Sequence, residues 1–153
     1  IYRRTGNSSK WVNIATVSGS NTLVYTDGSV KAGTMYTYTV RAYKGSALSA
    51  YNKNGSRIVR LTAPVQYKPS SKASGKLTVR WKKAAGASSY QIQYAASRSM
   101  RGARTVATSA LTRTLSGLKK GSTCYVRIRS CKKVNGKAYY GTWSSVKNAK
   151  VRK

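Results

Sequence analysis

The sequence predicts an all-β chain of two tandem sandwich modules, the first of them without its two opening strands. Three observations carry that prediction. Apolar and polar residues alternate with a period of two in segment after segment, and helical periodicity is absent. The strand pattern also occurs twice: residues 30–43 repeat as 118–131, with Gly33 and Gly121 88 positions apart. Ile1-Tyr2-Arg3 matches Ile92-Gln93-Tyr94 at an offset of 91, so the copies differ by three residues between these landmarks. Finally, the 28 residues of the second copy that run from Pro64 up to Ile92, that is 64–91, have no counterpart in the first. The chain is therefore expected to start in mid-domain, as an excerpt of a longer protein. Repetition at domain length implies tandem modules, which act by spacing or binding.

In chain order, the first module is expected to hold strands at 1–4, 11–17, 22–26, 34–43 and 57–61. The second is laid out as strand A at 65–68, B at 76–82, C at 90–95, C′ at 104–107, E at 112–115, F at 123–131 and G at 146–151. Leu77-Thr78-Val79-Arg80-Trp81-Lys82 and Tyr90-Gln91-Ile92-Gln93-Tyr94 alternate cleanly. Tyr, Thr and Val are plentiful, as strands prefer. Turn residues separate the runs at Ser74-Gly75, Gly86, Lys119-Lys120-Gly121 and Asn135-Gly136. Asn-Gly marks a tight hairpin because both residues tolerate positive φ. Seven short strands in about 90 residues predict a two-sheet sandwich. A short link at Leu61-Thr62-Ala63-Pro64 divides a partial module, 1–62 (strands C to G), from a complete one, 63–153. A link so short holds the modules in a semi-extended array.

Composition excludes most catalysis. Thirty Lys and Arg stand against one acidic residue, Asp27, with no His. General acid–base chemistry draws on His or carboxylates, glycosidases use a carboxylate pair, and a Ser-His-Asp triad needs histidine. Two Cys and one Asp cannot complete a zinc or calcium shell. A Ser–Lys or Tyr–Lys hydrolase survives on paper, but nothing marks one Ser among so many. The expectation is no enzyme, no metal and no cofactor.

The net charge of +29 bears on partners instead. It attracts anionic polysaccharide, teichoic acid, nucleic acid or anionic lipid surfaces, with binding that weakens steeply in salt. The competing reading is a solubilising surface whose acidic complement lies in neighbouring domains. No run approaches the ~18–20 apolar residues of a membrane span. Cys124 and Cys131 lie seven apart in one alternating segment, hence on opposite faces and some 23 Å apart, too far to bridge.

Taken in order, Leu77-x-Val79-x-Trp81, Tyr90-x-Ile92-x-Tyr94 and Leu118-x-x-Gly121-x-x-Cys124-x-Val126-x-Ile128 resemble the fibronectin type III pattern. The chain is similar in particular to Lys-rich tandem modules of bacterial secreted and surface proteins. These carry a Tyr-x-Ile-x-Tyr strand, a Lys-Lys-Gly turn and an Asn-Gly hairpin before Gly-x-Trp-Ser, as in Gly141-Thr142-Trp143-Ser144. The resemblance covers nearly the whole chain and implies two immunoglobulin-like sandwiches in an extracellular or cell-surface protein. It also implies a core of Trp81, Leu77, Val79, Tyr90, Ile92, Tyr94, Val126 and Ile128. Tyr36 sits at the family's tyrosine corner, where its hydroxyl bonds nearby backbone; Cys124 takes that position in the second module.

Two motifs are set aside. Arg101-Gly102-Ala103 lacks the carboxylate of an integrin-binding loop. Trp143-Ser144-Ser145 resembles half of the tryptophan–serine box of cytokine-receptor modules and reads as a cover for the F–G hairpin. The strongest candidate site is a basic outer face on the C–F–G sheet. With Val126 and Ile128 inward, Tyr125, Arg127 and Arg129 point outward, with Lys150, Arg152 and Arg104 expected beside them. Arg suits bidentate contact with phosphate or sulfate, and Tyr stacks on a sugar or base. The competing reading is that outward strand positions are charged to discourage edge-to-edge aggregation. Arg80 and Lys82 project from the other sheet, which favours diffuse attraction.

The expected function is a non-catalytic extracellular spacer and weak adhesion module, attracted to anionic cell-wall polymers and joined to other domains of the same longer chain. Nucleic acid is expected to bind only non-specifically. The alternatives are a dedicated receptor for nucleic acid or sulfated glycan, and an accessory region of a secreted carbohydrate-active enzyme.

Overall fold

The computed structural model describes residues 1–19 and 21–153. The chain divides into two compact units, Ile1–Arg60 and Leu61–Lys153. The division falls two residues before the expected boundary because Leu61 and Thr62 belong to the second unit. There, the Ser130 hydroxyl donates to the Thr62 carbonyl at 2.6 Å. Among the described residues no helix is long and apolar enough to cross a membrane.

In the first unit, β1 (Tyr2–Thr5), β2 (Val12–Asn13), β3 (Met35–Thr39) and β6 (Ser56–Val59) form one antiparallel sheet in the order β2-β1-β3-β6. A separate hairpin joins β4 (Tyr43–Lys44) to β5 (Ala47–Leu48). Pairing of Arg3 with Tyr38 and of Thr5 with Tyr36 puts these four residues on one face. Arg4, Thr37 and Arg57 share the other. On that second face Gly55 lies so close to the sheet, at φ +62°, that a Cβ would stand 2.6 Å from the Tyr38 carbonyl oxygen and 2.8 Å from the Trp11 ring. The close approach lets Trp11 and Tyr51 meet edge to face at 6.0 Å.

Two expected strands are corrected. The 11–17 strand shortens to Val12–Asn13, and 22–26 forms none, leaving Leu23 and Val24 exposed. Thr and Val favour an extended backbone, but a ladder needs a partner edge, and this segment has none.

The tyrosine corner is present. The Lys31 amide donates to the Tyr36 hydroxyl at 2.9 Å, and Tyr36 is buried. Removing that oxygen leaves the amide without its acceptor, so Tyr36→Phe should cost about 1 kcal/mol. Urea denaturation of the full chain measures this; a variant as stable as wild type would contradict it.

In the second unit, β7 (Leu77–Arg80) pairs with β10 (Thr112–Leu115). The expected strand A appears only as single bridges, Gln66 to Trp81 and Ser70 to Thr78. The opposing sheet runs β12 (Lys137–Tyr140), β11 (Thr123–Val134), β8 (Ser89–Ala95), β9 (Arg104–Thr108), with β13 (Lys147–Lys150) also on β11. Asn135 (φ 50°) and Gly136 (φ 78°) turn β11 into β12, as the dipeptide predicted. Leu77, Val79, Trp81, Tyr90, Ile92, Cys124, Val126 and Ile128 are buried together between the two sheets, with Tyr94 packed against them. Both thiols are free: Cys124 faces this core beside Ala149, whereas Cys131 pairs with Tyr140 on the opposite face. Burial pushes the Cys124 thiol up, away from the reactive thiolate.

Candidate functional site

The outer face of the five-stranded sheet is built by register. Inward Val126 and Ile128 lie opposite Tyr94 and Ile92, so Arg127 and Arg129 must face outward opposite Gln93 and Gln91. Each arginine then makes the same pair of bonds. Arg127 Nε and Nη2 donate to Gln93 Oε1 at 2.9 and 2.7 Å. Arg129 donates to Gln91 Oε1 at the same two distances. A guanidinium offers only donors, so the amide oxygen is the atom that must face it.

An interruption in the last strand supplies the aromatic half of the site. β12 and β13 lie end to end along one edge of β11, and residues 141–146 bridge the gap between them. Within it, Ser144 replaces a ladder residue: its amide donates to the Ile128 carbonyl at 2.7 Å, and its hydroxyl accepts the Ile128 amide at 3.0 Å. Trp143 is thereby laid over the arginines. Arg127 stands 4.6 Å from the indole centroid, Arg129 stands 4.5 Å from it, and Arg129 stands 4.0 Å from the Tyr140 ring. The result is an alternating ladder, Arg127–Trp143–Arg129–Tyr140, in which both guanidiniums are fixed at one edge by Gln and on the flat face by a ring. A looser grouping recurs in the first unit, where Arg4 lies over Trp11 at 4.7 Å and Arg41 over Tyr51 at 5.2 Å.

The other expected site residues divide. Tyr125 lies on the same face as Arg127, beside Asn148, and Lys150 joins it opposite Thr123. Arg104 does not. It pairs with Tyr94, so it takes the side of the sheet turned toward the core, and lines a shallow cleft of about 270 Å³ with Tyr94, Lys119 and Cys124. Its face is set by the residue of β8 that it meets, and a shift of one residue exchanges the faces of a strand. Arg152 lies past the end of β13, where its guanidinium donates to the Lys72 carbonyl at 3.1 Å, drawing it to the sheet's margin. Gln91, Gln93, Trp143 and Tyr140 were missing from the expected face. The signal for the glutamines was in the sequence: Gln-x-Gln on strand C answers Arg-x-Arg on strand F once the strands are paired in antiparallel register.

Asp27, the one carboxylate, is wholly engaged inside the first unit. It accepts Arg3 Nη1 at 2.6 Å, the Ser29 hydroxyl at 2.7 Å, the Tyr38 hydroxyl at 2.8 Å and the Ser29 amide at 2.9 Å. Desolvation alone would raise its pKa, but donors at Ser29, Tyr38 and Arg3 more than reverse that and hold it well below the usual carboxylate range. With this acid consumed, the other cations have no carboxylate side chain to pair with.

Neither a family model nor a curated protein matches this chain. Solved structures do. A crystal structure of the chicken CNTN1 FN1–FN3 domains is similar over 99% of this chain at TM-score 0.52 and 18% identity. The chain spans about half (52%) of that structure. The solution structure of the fn3 domain of human contactin 1 is similar over 73% of this chain and 93% of its own, at TM-score 0.53 and 18% identity. A crystal structure of a β-1,2-glucanase from Parabacteroides distasonis is similar over 69% of this chain but 17% of its own, at TM-score 0.51 and 13% identity. At such identities the likeness is one of fold, and the fold is that of fibronectin type III domains, an immunoglobulin-like β-sandwich.

Proposed function

We propose that this chain is a non-catalytic extracellular spacer and weak adhesion module, drawn to anionic cell-wall polymers or glycans by its uncompensated positive surface. One observation carries the reading: Asp27, the chain's one acidic side chain, is spent on Arg3, Ser29 and Tyr38. The net charge of +29 that remains has no other acidic side chain in the chain to neutralise it. Such a surface attracts polyanions through counterion release, with little dependence on their sequence. A salt titration tests this. Affinity for poly(glycerol phosphate), heparin and DNA should fall together between 50 and 200 mM salt, by on the order of a thousandfold if about six contacts form. No saturable binding at physiological salt would reduce the module to a spacer.

The glucanase structure favours a second reading, in which the module is an accessory region of a carbohydrate-active enzyme. Saturable, salt-insensitive binding to a neutral β-glucan would select it over polyanion adhesion.

A further inference from the structure

We propose that Arg127 and Arg129 form a two-point site for a linear phosphodiester chain, in which Gln91 and Gln93 position the guanidiniums and leave their charge uncompensated. The proposal rests on the polyanion reading above and gives it a location and a ligand chemistry.

The first argument is the identity of the acceptors. A carboxylate at 91 or 93 would hold each guanidinium as firmly and would cancel its charge. Glutamine holds it through two N–H bonds that converge on one amide oxygen, at 2.7 and 2.9 Å, and leaves the charge intact. The rings of Trp143 and Tyr140 likewise immobilise the cations without neutralising them. In each arginine the bonds to Gln use Nε and Nη2, and no protein acceptor meets Nη1 among the described residues. Two rotamer-rich side chains are therefore ordered before any ligand arrives, which removes much of the ordering cost of binding.

The second argument is spacing. Residues two apart on a strand stand about 7 Å apart on one face. Three bonds of an extended chain reach ~3.3–3.6 Å, so a repeat of six bonds covers about 7 Å. The backbones of poly(glycerol phosphate) and of nucleic acid both repeat their phosphate every six bonds. Successive phosphates of an extended phosphodiester chain thus meet Arg127 and Arg129 in step. Tyr125 and Lys150, further along the same face, continue the track.

The test uses the full chain and three polymers: poly(glycerol phosphate), a single-stranded oligodeoxynucleotide, and heparin as a sulfated glycan of different spacing. Gln91→Glu/Gln93→Glu should keep or raise the melting temperature, because each new carboxylate meets a guanidinium. It should also weaken both phosphodiester polymers at least about tenfold and flatten their salt dependence by about two contacts. Thr112→Glu/Thr114→Glu, exposed on the opposite sheet, makes the same charge change and should cost less than about threefold. Arg127→Lys/Arg129→Lys keeps the charge but loses the planar fork, and should reproduce the loss. Heparin should respond alike to both Glu pairs. Whichever phosphodiester binds more tightly to wild type identifies the source. Equal losses from the two Glu pairs would overturn the two-point site while leaving diffuse adhesion standing. Absence of any polymer binding by wild type would overturn both.

Discussion

Replacing Trp81 by Ala should remove about 3–5 kcal/mol from the second unit, the largest loss expected of any single substitution in that core. Trp81 is 2% exposed and meets Tyr90 edge to face at 5.3 Å, on the strand side that also carries Leu77 and Val79. Truncation leaves a cavity between two sheets whose backbones are fixed by their ladders, so little collapse can fill it. A loss of that size is a large share of the ~5–15 kcal/mol typical of a domain, and at ~4–8 °C per kcal/mol it lowers the melting point by well over ten degrees. Trp81→Phe separates packing from polarity. The indole N–H has no acceptor among the described residues, so Phe gives up no protein hydrogen bond there, and most of the ring contact with Tyr90 survives. Phe should therefore cost about 1–2 kcal/mol, as a partial loss of buried volume. Urea denaturation at constant m-value reads both. An Ala variant within 1 kcal/mol of wild type would mean that the sandwich is not held as described.

The fold of the second unit was legible because its strands are buried on one side only. Alternation in Leu77–Arg80 and through Cys124, Val126 and Ile128 states which face is wet, and Asn135-Gly136 fixes a hairpin register. Where a strand depends on a partner elsewhere, the sequence says less. Residues 22–26 have the composition of a strand but no edge to pair with. Arg104 shows the same limit at the site. Its exposure was legible, but its face depends on which residue of β8 it meets. Gln91 and Gln93 are unremarkable as single residues and gain meaning only opposite Arg129 and Arg127. Trp143 is legible as a cover for the hairpin, but not as the rung between two arginines. That position depends on Ser144 taking over the ladder bonds of Ile128, an exchange between side chain and backbone that alternation cannot encode.

Asp27→Asn should destabilise the first unit by about 2 kcal/mol at neutral pH, between the value of an exposed ion pair and the ~3–5 kcal/mol of a fully buried one. The intermediate figure follows from the side chains of Arg3 and Asp27, which are 20% and 9% exposed. Each carboxylate oxygen accepts two bonds: Oδ2 from Arg3 and Tyr38, Oδ1 from both donors of Ser29. An amide turns one of those oxygens into a donor that faces an obligate donor whichever way it is rotated, the Arg3 guanidinium on one side or the Ser29 amide on the other. The pH dependence follows from the sign of the shift. The folded carboxyl is held below its ordinary range, so its stabilisation is complete above the unfolded pKa, ~3.9, and is lost only as pH falls below that. Tyr38 bounds the other side. Desolvation first, then its bond to Asp27, push the phenol up to about 12, so its contribution is complete below the unfolded pKa of ~10 and is lost as pH rises from there through the folded value. With no His and no other acidic side chain in the first unit, stability there should stay nearly flat from about pH 4 to pH 7. Acid protonates a single side-chain carboxylate, so it adds almost no self-repulsion to a chain already at +29. Melting curves of wild type and Asp27→Asn recorded from pH 7 down to pH 2 measure this directly: the gap should hold to about pH 4 and close below it. A gap that closes between pH 6 and 5, or one that persists undiminished at pH 2, would show that Asp27 does not hold the first unit together as its four hydrogen bonds imply.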